Sequence, residues 1–175
     1  HLSPLGFAQA VCRFAPHYEA RDEKDLLRGF LQTGALFVAG ASLAIAALGG
    51  VVLWFAGAYI ETVYVLPFAI ALIVFPLFAL QDYVENIARA FNWTIIAITP
   101  PFIIRHGLIG TGVLGAYLLG MPVSASFAIG IALVATLVSL LVQTGFVWIR
   151  LQKIVSAGPR KKRMGEWLKT SMPLV

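Results

Sequence analysis

GFLQTGALFVAGASLAIAALGGVVLWFAGAYI, residues 29–60, contains no charged side chain. At ~1.5 Å per residue, a helix of that length more than covers the ~30 Å hydrocarbon core of a bilayer. Glu61 follows, and then a second charge-free run, 62–81, interrupted by Pro67 and Pro76. The runs 90–104 and 122–149 are also free of charge. Basic residues collect in alternate gaps: Arg21, Lys24 and Arg28; then Arg89 and Arg105; then Arg150, Lys153, Arg160–Arg163 and Lys169. The other gaps hold only Glu61, or no charge at all around Met121. Sorting of this kind is the signature of membrane insertion, in which positive loops stay on the cytoplasmic side.

Composition agrees. Hydrophobic residues make up 59% of the 175 and charged ones 12%, against about one-quarter charged in soluble domains. Lipid must therefore serve as part of the solvent. The formal charge of +5 reads as topology signals and anionic-lipid contacts rather than a nucleic-acid surface. The single cysteine, Cys12, excludes an intrachain disulfide and a cysteine-rich metal site. Neither a catalytic motif nor a His/Cys ligand cluster is present, so neither enzymatic activity nor a cofactor or metal is expected. His17 and His106 read as surface histidines. The chain begins at His1 inside an apolar stretch and ends at Val175 as another begins. It is expected to be a piece cut inside a helix at each end.

The spacing predicts an all-α polytopic transmembrane bundle. Leu2–Glu19 reads as the inner end of a first helix, and Phe30 to about Ala58 as the second. Thr62 to Leu80 returns and continues as an amphipathic extension. Val84, Ile87, Ala88 and Phe91 share one face of it, and Asp82, Glu85, Asn86 and Arg89 the other. Glu85 and Arg89 stand one turn apart. Thr99-Pro100-Pro101 is expected to break the chain before a third crossing, Phe102–Gly120, and Val123–Ile149 crosses back. The tryptophans and tyrosines fall near the proposed helix ends, the depth amphipathic rings prefer. Small residues recur every fourth position at Gly107, Thr111 and Gly115, and at Gly112, Ala116 and Gly120, a spacing that lets helix backbones approach.

Three polar residues are candidate substrate contacts. Arg13 stands about two turns inside the charged turn, where a cation is costly unless it faces water, protein or an anion. Snorkelling along its aliphatic stem is the other reading. Gln9 lies one turn deeper on the same face, so both could line a polar cavity. Arg105, at the expected entry of the third crossing, would either anchor on lipid phosphate or guide a diphosphate headgroup inward. Proton- or sodium-coupled exporters need a buried carboxylate, and none is expected deep in the complete crossings.

The opening run Leu5–Ala10 with Arg13–Ala20, Arg21-Asp22 and Leu26–Arg28 resembles the second helix and first cytoplasmic loop of bacterial polysaccharide flippases. These belong to the multidrug/oligosaccharidyl-lipid/polysaccharide exporter superfamily. Pro100–Arg105 resembles its fourth-to-fifth helix connection, and Glu166–Leu174 the start of its seventh helix. The resemblance implies a partial N-terminal lobe of a two-lobed MATE-like fold over 1–165, with 166–175 opening the second lobe. It also implies a bacterial inner-membrane protein that flips lipid-diphosphate-linked glycans by alternating access. Its partners would be the glycan substrate, membrane lipids and polysaccharide-synthesis machinery. Cavity arginines on the early helices of such flippases suggest that role for Arg13. A cation-coupled drug exporter of the same fold and a non-transporting scaffold of a synthase complex are the alternatives.

Overall fold

The computed structural model describes residues 7–56, 62–122 and 124–154, and among these every regular element is helical. The helices are α1 (Phe7–Ala20), α2 (Lys24–Ala56), α3 (Thr62–Ala90), α4 (Thr94–Ile98), α5 (Arg105–Leu118) and α6 (Ala125–Ile154), with a π-helical segment, Thr99–Ile104, joining α4 to α5. Four stretches are long and apolar enough to cross a membrane: Lys24–Ala56, Tyr64–Ala90, Thr94–Leu118 and Ala125–Ile154. The chain is a multi-pass membrane protein.

Three helices end in the same way. Asp22, Asn92 and Gly120 adopt left-handed backbone (φ 56°, 58° and 71°). In each case two backbone N–H groups turn back onto the last carbonyls, as Trp93 does to Ala88 at 2.8 Å and Met121 to Ala116 at 3.0 Å. This Schellman arrangement satisfies carbonyls that a helix end leaves open. Asp and Asn are the residues besides glycine that tolerate that conformation.

α3 is the central element, packing on α1, α2 and α6, while α5 packs on α6. The tight core lies towards the basic end. Ala10, Val11 and Ala15 of α1 meet Leu27 and Phe30 of α2, and Tyr83, Ile87, Ala88 and Phe91 of α3. The expected apolar face of the α3 extension is thus the buried one, and Arg89 pairs with Glu85 across one turn. Away from this end the surface is apolar and open, with Leu48 67% and Trp54 85% exposed. In water such a surface would be an aggregation liability; in a bilayer it faces acyl chains.

Two expectations are corrected here. Tyr83 and Tyr18, near helix ends as expected, do not face lipid: both are buried. The Tyr83 hydroxyl donates to the Leu31 carbonyl at 2.8 Å, which satisfies its polar tip inside the protein, as a buried tyrosine requires. The Pro100-Pro101 pair does not break the chain. The helical stretch of the third candidate span starts at Thr94, not Phe102, because it continues through the prolines in π register.

The small-residue stripes divide. A Cβ on Gly112 would stand 2.9 Å from Ile131 Cγ2 of α6, and Ala116 is buried. That stripe is where α5 and α6 approach. Gly107 and Gly115 face open space, and Thr111 spends its hydroxyl on the Gly107 carbonyl at 2.8 Å.

Candidate functional site

Proline has no N–H, so Pro100 and Pro101 withhold the α-helical donors from the carbonyls four residues earlier, Ile96 and Ala97. Those two carbonyls accept instead from one side chain of α6: Gln143 Nε2 lies 3.2 Å from Ile96 O and 3.4 Å from Ala97 O. The Pro100 carbonyl accepts the backbone N–H of Arg105, the wide i+5 bond of a π turn. It also accepts from Ser139 Oγ of α6 at 2.6 Å. Ser139 in turn accepts from Gln81 Nε2 of α3 at 2.6 Å. Gln81, Ser139 and Gln143 are all but fully buried, at 2%, 0% and 0% exposure. Helix breaks survive in membranes where neighbouring side chains and π adjustments re-satisfy the freed backbone groups. Here both devices operate together.

Arg105 is the first residue of α5, at the end of this π turn. Its Nη1 lies 3.5 Å from Gln81 Oε1, and its guanidinium carbon stands 4.6 Å above the centre of the Phe78 ring. Phe78 and Gln81 are three apart on α3, so one face of that helix presents both. Among the described residues no carboxylate forms an ion pair with Arg105, and the nearby Glu85 is engaged by Arg89. The sequence reading placed Arg105 at the entry of a crossing. It belongs to the candidate span Thr94–Leu118 and stands beside Gln81, where the charged extension of α3 begins. The repaired di-proline turn puts the start of that continuous helical stretch at Thr94.

The chain matches no protein-family model, no curated protein and no solved structure.

Arg13 lies on α1 and is exposed. Gln9 belongs to the same helix one turn earlier, and its side chain falls outside the described residues. α1 packs on α2 and α3, whereas α5 packs on α6. The two arginines therefore stand on different parts of the bundle. Cys12, next to Arg13, faces α3, with Sγ 3.6 Å from the Asn86 carbonyl and side-chain oxygens. His106 is exposed, its Nδ1 3.0 Å from the Phe102 carbonyl. Among the described residues no group of three or more His, Cys, Asp and Glu could hold a metal ion.

Gln81, Ser139 and Gln143 escaped the sequence reading because each is a neutral residue inside a charge-free run. A signal does exist. Thr136, Ser139 and Gln143 recur at i, i+3 and i+7 along α6, a narrow polar face in an otherwise apolar helix. All three are buried, and buried polar groups need partners. The freed carbonyls of Ile96, Ala97 and Pro100 need donors, and this face supplies them.

Proposed function

We propose that this chain works in a flippase that carries lipid-diphosphate-linked oligosaccharide or polysaccharide units across a bacterial inner membrane by alternating access. The observation that carries this reading is Arg105: a guanidinium inside a candidate span, held by one amide oxygen and an aromatic ring. A guanidinium on a spanning helix with no carboxylate ion pair among the described residues is suited to an anionic substrate. Guanidinium binds phosphate oxygens through two parallel hydrogen bonds, so a diphosphate headgroup is the matching cargo. The one-sided basic residues and the resemblance of the opening and closing segments support the same reading. Arg13 and Gln9, on α1, are proposed as a second contact on the headgroup's route.

A cation-coupled drug exporter of the same fold would need a carboxylate able to cycle its proton. The half-buried Glu85 is paired with Arg89, which favours the flippase over that alternative.

The test is glycan export in a strain lacking its own flippase, with Arg105→Gln, Arg13→Ala and Arg13→Lys compared at equal protein levels. Losing a charge-assisted hydrogen bond of ~1.5–3 kcal/mol predicts that each neutral variant exports about tenfold less or worse. Arg13→Lys is expected to keep part of the activity. Full export by both neutral variants overturns the proposal.

A further inference from the structure

We propose that Gln81 couples anion binding at Arg105 to the di-proline turn, acting as a positioning residue between the two. The proposal rests on the reading of Arg105 as an anion contact given above.

The hydrogen bonds around Gln81 form a closed ring. From the Pro100 carbonyl the ring runs to the Arg105 backbone N–H. It continues through the Arg105 side chain to Gln81 Oε1 and from Gln81 Nε2 to Ser139 Oγ. Ser139 Oγ then returns it to the Pro100 carbonyl. The chemistry fixes its direction. Arginine only donates, so the amide oxygen must face Arg105 and the NH₂ must face Ser139. Ser139 accepts there and has one proton left, which it gives to Pro100. Three segments, α3, α6 and the π turn, are thereby braced through one glutamine amide.

The links are unequal. Both bonds through Ser139 are 2.6 Å, whereas Arg105 to Gln81 is 3.5 Å. A bond at that length is the weakest in the ring. Phosphate oxygens offer a guanidinium two bonds to an anion in place of one long bond to a neutral amide oxygen. An anion therefore takes the guanidinium and opens the ring at this link. Gln81 Oε1, in a side chain 2% exposed, then loses its donor, and the brace on Pro100 loosens. The turn is suited to move, since two consecutive residues lack backbone donors. Nearby, the buried Gln143 Oε1 has no hydrogen-bond partner among the described residues. By reciprocity, whatever anion binding does to the turn, a tighter turn does to anion binding.

The experiment uses the protein in phosphatidylcholine nanodiscs with inorganic diphosphate as probe. Calorimetry reads affinity, and hydrogen exchange reads the backbone amides of 94–106. In the wild type, diphosphate should speed exchange in that segment by about fivefold, the low end of ordinary coupling between sites. Gln81→Glu supplies a carboxylate that holds Arg105, and should weaken diphosphate binding about tenfold. Gln81→Met keeps the volume and removes the competitor. It should bind diphosphate at least as tightly as wild type, exchange fast without it, and show no further change on adding it. A merely structural glutamine would not separate the affinities of these two variants. Equal affinities in Gln81→Glu and Gln81→Met, with binding lost in Arg105→Gln, overturn the coupling and leave the anion site standing. Wild-type affinity in Arg105→Gln overturns the anion reading and the coupling with it.

Discussion

Replacing Gln143 with leucine isolates the repair of the di-proline turn. The change nearly conserves volume but removes the amide that donates to Ile96 O and Ala97 O. Side-chain hydrogen bonds between membrane helices average ~0.6 kcal/mol and reach ~1.7. Two long ones therefore contribute about 1–3 kcal/mol. The same change also removes Gln143 Oε1, which is buried without a partner among the described residues; relieving that cost returns ~1 kcal/mol. The net destabilisation is at most about 2 kcal/mol. Unfolding in mixed micelles of increasing SDS fraction, followed by far-ultraviolet circular dichroism, measures it. The decisive comparison repeats Gln143→Leu in a Pro100→Ala/Pro101→Ala background. There the backbone N–H groups are restored, Ile96 and Ala97 regain their own donors, and the leucine should cost nearly nothing. If Gln143→Leu costs the same with and without the prolines, within the ~0.3–0.5 kcal/mol scatter of additive sites, the repair argument is wrong.

Other consequences can be checked in the same way. Gly112→Ala places a methyl 2.9 Å from Ile131 Cγ2, on a β-branched side chain with little freedom to turn, and should cost ~1 kcal/mol or more. Gly49→Ala meets only the flexible end of Leu72 and gains helix propensity, so thermal unfolding should show it neutral or up to ~1 kcal/mol more stable. Tyr83→Phe loses the 2.8 Å bond to the Leu31 carbonyl but keeps the packing. It should lower stability by about 1 kcal/mol without changing the helix signal. In a Cys12→Ser background, Met121→Cys and Lys153→Cys should react with a membrane-impermeant maleimide from opposite sides of the membrane; labelling from one side refutes the topology.

The long-range frame of this protein is legible in its sequence because it rests on one-dimensional quantities. Charge-poor, apolar length marks the four spans, and the 3.6-residue period of Val84, Ile87, Ala88 and Phe91 marks a buried face. Glu85 and Arg89 pair because they are neighbours on one helix. The di-proline turn is different. The local rule that Pro100 and Pro101 deprive two carbonyls of donors is correct, and taken alone it predicts a break. What keeps the helix going is an amide on α6, far along the chain, together with Ser139 and Gln81. No local property of residues 94–105 contains those partners. Tyr83 shows the converse limit. An aromatic near a helix end fits a lipid interface and a protein interior equally well, and the Leu31 carbonyl decides between them.

The most direct test of the proposed activity is translocation itself. The purified protein would be reconstituted into phosphatidylcholine vesicles containing a fluorescent polyprenyl-diphosphate lipid, with a membrane-impermeant quencher reporting headgroups in the outer leaflet. The account predicts that wild-type vesicles move the headgroup faster than protein-free vesicles, and that Arg105→Gln slows them by about tenfold or more. A wild-type rate equal to that of protein-free vesicles, or an Arg105→Gln rate equal to wild type, contradicts it.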